Sequence, residues 1–474
     1  LQAFTTPRVW GENEAREDGR LAQESIDIPQ SSLDVATKPL VTSSLSVEEE
    51  EQQQQPTDVL TTTTTSTSNE GQGTAAASTT TTTTTSSHVD DLTSTIDSMY
   101  LCPDKLQDPA VVEALPQLKV EASLSSNKPR EPTDVTLITQ LSFERLYMLQ
   151  GQCDVWHGVI SAAVHIALVN GRAVTVELNS NQDPQLTDMS EILQRFKEFH
   201  TFAESRGLCK LDLLLIAQDV ESVWLSGLYP VNAMRNRALA NARTDIVLLL
   251  DVDFWPSAEL SEVVQRAGKY ASLLAAVESK NAIVLPAYET GDQGDIGVEV
   301  AREVVIEGKD TAVTMFWDGR IKPFHGDNYK QGHRATDYKR WLEADKPYRI
   351  RYEEGYEPYV LVSRKFVPWY DERFVGYRKN KVVHLLHLAQ TGMQFVVHPR
   401  AFTVHSPHPR ARTWKVTHKT GLWDQLAELY NLVKTGLESN TYVPASMYSC
   451  GDHVVGPEMA FQDGIVQGTW ARRI

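Results

Sequence analysis

Residues 245–254, DIVLLLDVDF, set the tightest limit on what this chain can fold into. Ile246, Val247, Leu248, Leu249 and Leu250 run without interruption and end at Asp251 and Asp253, two carboxylates one residue apart. An unbroken apolar run of this kind reads as a strand buried on both faces, as in the interior of an α/β sheet. On an extended chain the side chains of Asp251 and Asp253 point to one face, where two unpaired carboxylates repel. A divalent cation removes that cost. Mg2+ and Mn2+ take oxygen ligands and bind through one or two carboxylates together with substrate phosphates. Solvated strand-end aspartates are the plainer alternative, and spacing alone does not separate the two. The FWPS loop that follows, with its proline, stops the strand and fixes the pair at its end.

Short apolar strands and helical patterns alternate through the neighbouring sequence. Strands are expected at 134–141, 164–169 and 210–218, and helices at 143–156, 189–205 and 231–243. The helix at 189–205 is the clearest, because Ile192, Phe196 and Phe199 recur at intervals of four and three. Further strands are expected at 281–286, 359–365 and 395–405. This alternation predicts an α/β domain, its sheet covered by helices on both faces, with function gathered at the C-terminal ends of the strands. The polar, glycine-bearing segment 287–357 is long for a connection and is expected to be an insertion that covers the substrate.

Composition divides the chain. Residues 1–130 hold 20 acidic against 8 basic side chains, so most of the net charge of −17 lies there, together with a Glu/Gln run at 48–55 and threonine runs at 61–65 and 79–85. Such a segment has little apolar surface to offset the entropy of ordering, and a disordered acidic Ser/Thr-rich stalk or linker is expected over 1–130. Residues 131–474, with 42 acidic against 37 basic side chains, are expected to form one catalytic domain. No basic tract suits nucleic acid. Cys102, Cys153, Cys209 and Cys450 are too few and too widely spaced for a disulfide scaffold or a structural zinc site, leaving one or two disulfides or isolated thiols. No apolar run of about 20 residues is present, and any membrane anchor is expected upstream of Leu1.

Two histidines complement the aspartate pair. His405 closes the apolar run in FTVHSPHP, 402–409, and an imidazole is a sound Mn2+ ligand beside carboxylate and phosphate oxygens. A hydrogen-bonded surface histidine is the alternative for His405. His408, beyond Pro407, is placed to face a phosphate or solvent.

Five segments in order, DVTLITQL (134–141), YPVNAMRNRALANARTDIVLLLDVDFWPS (229–257), YEPYVLVSR (356–364), YDERFVGYRKNKVVHLLHL (370–388) and FVVHPRAFTVHSPHP (395–409), together resemble glycosyltransferase family 49. The resemblance implies a type A glycosyltransferase, or nucleotide-diphospho-sugar transferase, fold with a mostly parallel central sheet. It further implies Mn2+ as cofactor, with Mg2+ also suited, UDP-glucuronic acid as donor, a glycan or glycoprotein acceptor and residence in the Golgi lumen as a single-pass type II membrane protein. Asp251 and Asp253 become the metal-binding pair and His405 the third ligand, while Arg235, Asn236, Asp251, Asp253 and His408 become donor contacts. Arg235 could instead pair with Asp251 and organise the site.

Inverting transfer needs a carboxylate to take the acceptor proton. Asp371 and Glu372 in WYDERF are the expected candidates, Asp371 being favoured, with pairing to Arg373 its structural alternative. The chain departs from the family at Arg378 and Lys379, where members usually carry a glycine and then a bulky aromatic. These two cations either favour an acidic acceptor or face water. Segments 324–343 and 352–359 are expected to read the acceptor, with Tyr338 and Trp341 as either sugar platforms or core anchors. The rival readings are a transferase of the same fold with another UDP-sugar, an inactive nucleotide- or glycan-binding module, and a stalk protein whose function lies in 1–130.

Overall fold

In the computed structural model, which describes residues 115–175, 184–206, 209–409 and 412–448, the strand Ile246–Leu249 lies deep inside an 11-stranded sheet. In spatial order the main path runs Lys119–Leu124 (β1), Lys210–Asp219 (β6), Val159–Val169 (β3), Thr136–Ser142 (β2), Ile246–Leu249 (β7), Tyr359–Ser363 (β13), Asn281–Leu285 (β9), Gln394–Val397 (β14) and Tyr348–Ile350 (β12). The short strands Arg172–Thr175 (β4) and Gln185–Thr187 (β5) extend it beside β3. β6, β3, β2 and β7 pair in parallel, as do β9 and β14, while β1, β13 and β12 run against them. The sheet is thus mixed but largely parallel.

Period-two geometry divides each central strand between two cores. Ile246 and Leu248 pack with Ile192 and Phe196 of the helix Met189–Ser205 and with Leu273 and Val277 of the helix Ala267–Glu278. Val247 and Leu249 pack on the other face with Met234 and Ala238 of the helix Val231–Asn241 and with Leu385 and Leu388 of the helix Asn380–Gln390. Both faces are covered, which is why the run 246–250 carries no polar residue. The stripe expected on 189–205 is buried at Ile192 and Phe196, with His200 and Ala203 continuing it and Phe199 partly buried.

Three segments cross from this sheet to a second, four-stranded one made of Ile321–Pro323 (β11), Ala287–Thr290 (β10), Thr403–His405 (β15) and Phe254–Pro256 (β8). The crossings are β7 to β8, β9 to β10 and β14 to β15. They explain why the single strands expected at 245–254 and 395–405 are each two shorter ones. Pro286 and Pro399 lie at two of these crossings, where the missing N–H suits a break in the ladder. Segment 287–357 is a folded part of the domain, with helices Gly294–Glu307, Lys309–Trp317 and Tyr338–Glu343 joined to β10, β11 and β12.

The sheet begins before residue 131. β1 pairs antiparallel with β6 across a bulge between Val120 and Ala122, and its weak edge-strand pattern, with Ala122 alone buried, is hidden when composition is averaged over 1–130. The stalk expected over 1–130 otherwise lies outside the described residues. Cys153 and Cys209 form a disulfide across 56 residues, joining the helix Leu146–Val155 to the start of β6. Among the described residues no helix is long and apolar enough to cross a membrane.

Candidate functional site

β7 stops at Leu249, and the next residues form a tight turn in which the N–H of Phe254 donates to the carbonyl of Asp251 (3.0 Å). That turn cancels the strand alternation from which a common direction for Asp251 and Asp253 was expected. The two carboxylates meet different partners.

Asp253 faces two histidines. In the antiparallel β8–β15 pair His405 lies opposite Phe254, the residue after Asp253, and the N–H of Ser406 donates to the carbonyl of Asp253 (2.8 Å). This register brings His405 Nε2 to 3.6 Å and His408 Nε2 to 3.0 Å from Asp253 Oδ2. Phe324 and Phe254 pack on His405, with ring centroids 5.1 and 5.2 Å away. Burial alone would raise the Asp253 carboxyl, but the hydrogen bonds and charges of the two histidines outweigh it and hold the group well below the ordinary carboxylate range. One ligand atom from each of the three residues falls within a 4.8 Å cluster. The other oxygen, Oδ1, is buried with no hydrogen-bond partner among the described residues. An ionised carboxylate with an orphaned buried oxygen beside two imidazoles is a donor set that fits a divalent cation.

Asp251 is engaged by cations instead. Arg235 donates to its Oδ1 (2.7 Å); the Tyr359 hydroxyl (3.1 Å) and Lys381 Nζ (3.3 Å) reach Oδ2. Burial is opposed by Arg235 and Lys381, which bring this carboxyl down to about 2. Arg235 is itself aimed by the side-chain oxygens of Asn232 and Asn380, both at 3.0 Å. These groups border a narrow cleft lined among others by Thr139 and Gln140 of β2 and by Arg235, Asp251, Tyr359 and Lys381. Asp253, His405 and His408 are outside its lining; the cleft meets them through the 251–253 turn.

The expected ligand set Asp251, Asp253 and His405 is therefore brought together differently: His408 stands with Asp253 and His405, and Asp251 belongs to the Arg235–Lys381 cluster. Arg235 takes the organising role offered as its alternative. Asn236 does not line the cleft; it is fully buried, donates to Tyr370 O, Glu372 Oε1 and Ser446 Oγ, and accepts from the N–H of Tyr370.

The two carboxylates expected to supply a base are also committed inside the fold. Asp371 accepts from Arg373 Nη2 (2.6 Å) and Nε (3.0 Å) and from the Tyr442 hydroxyl (3.0 Å), with its side chain fully buried. Glu372 accepts from Asn236 (2.8 Å) and Ser446 (2.7 Å). These bonds join the 370–373 segment to residues 442–446, a contact that nothing in the local sequence announces. Arg378 stacks on Trp423 at 4.1 Å and Lys379 lies 5.0 Å over the Tyr430 ring. Arg378, at φ 124°, and Lys379, at φ 57°, occupy backbone conformations that favour glycine. Tyr338 and Trp341 are core anchors, 8% and 0% exposed. Sequence reasoning did not single out Tyr359 or Lys381, although both stand in the quoted segments.

The family model Glyco_transf_49, described as "Glycosyl-transferase for dystroglycan", matches residues 134–421. Xylosyl- and glucuronyltransferase LARGE2 of Rattus norvegicus is 36% identical over 281 residues, 59% of this chain and 35% of that protein. Xylosyl- and glucuronyltransferase LARGE1 of Homo sapiens is 30% identical over 279 residues, 59% of this chain and 32% of that protein. The chain thus spans about a third of the length of these curated relatives. A crystal structure of S. aureus TarS, at 11% identity and a TM-score of 0.26, covers 60% of this chain and 38% of that chain, a likeness too slight to bear on the fold. The matched region contains β2, the 251–253 turn, the cleft cations and both histidines, and on that match the chain belongs to the Glyco_transf_49 family of glycosyltransferases.

Proposed function

We propose that this chain is a metal-dependent inverting glycosyltransferase that moves glucuronic acid from UDP-glucuronic acid to a glycan acceptor, with a xylose terminus the first to test. The observation that carries this reading is the Asp253–His405–His408 cluster with its unsatisfied Oδ1, set one turn from a cleft bordered by Arg235 and Lys381. Asp253, His405 and His408 would hold the cation, for which two imidazoles favour Mn2+ over the oxygen-seeking Mg2+. When bound, the cation supplies the positive charge that holds a diphosphate and stabilises its departure.

The residues of the chain do the positioning. Arg235, fixed between Asn232 and Asn380, keeps Asp251 ionised and lends its own charge to the cleft wall. The Cys153–Cys209 disulfide fits an oxidising lumen such as the Golgi. The acidic Thr-rich segment before residue 115 is proposed as a stalk toward an upstream anchor.

The test is UDP release by the full chain with Mn2+ and a panel of UDP-sugars, with and without aryl β-xyloside and other glycan acceptors. Xyloside-stimulated release from UDP-glucuronic acid alone supports the reading. Release from another donor keeps the mechanism and replaces the substrate. No release from any donor overturns the proposal.

A further inference from the structure

With Asp371 and Glu372 closed inside the fold, and Asp251 held by Arg235 and Lys381, a further carboxylate approaches Lys381 from another loop. Residues 351–358 contain three glutamates, and two of them hold the loop in place. Glu353 pairs with Arg334 (2.7 Å), and Glu354 pairs with Lys434 (2.8 Å) and accepts from the Tyr430 hydroxyl (3.2 Å). The Tyr329 hydroxyl donates to the carbonyl of Gly355 (3.1 Å), and the N–H of Glu357 donates to that of Gly332 (2.8 Å). Glu357 is thereby fixed beside Pro358 and Tyr359, both of which line the cleft.

The Glu357 carboxylate has a single partner among the described residues, Lys381 Nζ at 3.9 Å, the same nitrogen that lies 3.3 Å from Asp251 Oδ2 and 3.9 Å from the Tyr359 ring. Its side chain is 27% exposed, against 0% for Asp371, so an incoming hydroxyl can reach it.

We propose that Glu357 is the general base that takes the proton of the acceptor hydroxyl, an assignment that rests on the transferase reading above. The acceptor oxygen forms its bond to the anomeric carbon of the donor while its proton passes to a Glu357 oxygen. The anomeric C–O bond to the diphosphate breaks, and its electron pair leaves on UDP. The surroundings suit the task. Burial pushes the Glu357 carboxyl above its ordinary range, opposed by Lys381, supported by Asp251, and opposed again by Lys379 and Arg235.

The experiment uses the full chain with Mn2+, UDP-glucuronic acid and an aryl β-xyloside. Glu357→Gln keeps the shape and removes the basic oxygen. It is expected to lower kcat roughly 100-fold or more, to leave UDP affinity and thermal stability within error of wild type, and to abolish the acid limb of the rate profile. Glu357→Asp, which keeps a carboxylate, is expected to recover part of the rate and the acid limb. An active wild type matched within threefold by Glu357→Gln would overturn the assignment alone. So would a Glu357→Asp as slow as Glu357→Gln while both bind UDP normally. A wild-type chain that releases no UDP from any UDP-sugar would overturn the transferase reading, and this assignment with it.

Discussion

Lys381 joins two carboxylates, reaching Asp251 at 3.3 Å and Glu357 at 3.9 Å. Because its charge lowers the Glu357 carboxyl, removing it has a defined sign. Lys381→Ala is expected to raise the Glu357 pKa and shift the acid limb of kcat/KM to higher pH; an unmoved or lowered limb would contradict the contact. His408→Ala removes one of three ligands and is expected to weaken Mn2+ affinity at least 10-fold, measured by calorimetric titration, a loss in line with the two imidazoles acting as ligands. Asp253 and His405 could be read from the sequence because each ends an apolar run that fixes where it stands. The placing of Asp251 could not, since it depends on a turn that replaces strand alternation at a single residue. Lys381 was hidden because Arg378 and Lys379, three and two positions earlier, broke the family pattern more visibly, yet these two lie over the rings of Trp423 and Tyr430.

The elements are placed by contacts that a local pattern reveals unevenly. The continuous apolar strands and the stripe on 189–205 showed a sheet buried on both faces, and the sheet is built that way. Where a strand passes from one sheet to the other, the pattern stays apolar on both sides of the break, so 245–254 and 395–405 read as single strands. The role of the 370–373 segment was hidden for a different reason: its partners, Tyr442 and Ser446, lie about 70 residues away. Asp371→Asn removes a charge from the buried pair with Arg373, and Arg373 is partly exposed, which limits the cost. A loss of about 2 kcal/mol is expected, read as a melting temperature several degrees lower; an unchanged melting temperature would show that the 441–448 segment does not depend on this anchor. Opening Cys153–Cys209 by a double alanine substitution is expected to cost about 3 kcal/mol in chemical denaturation.

Over the whole molecule, buried imidazoles make stability depend on pH. Burial lowers His165, His387 and His398 to about 4 and His333 and His384 well below the usual histidine value. The unfolded chain therefore takes up protons first as pH falls below about 6.5, so the stabilisation present above that pH is lost toward pH 4. Glu357 and Glu372, raised by burial, act in the opposite direction but are fewer. The melting temperature is expected to fall by several degrees between pH 7.5 and pH 5, and a flat profile would contradict the burial of these rings. The cation at Asp253, His405 and His408 is the central claim. The most direct measurement is a Mn2+ titration of the full chain followed by electron paramagnetic resonance, wild type against Asp253→Asn. One saturable site in wild type, weakened at least 100-fold in the variant while the melting temperature in the absence of metal is retained, is the expected result. Equal binding by the two proteins would contradict the assignment of Asp253, His405 and His408 as the metal centre.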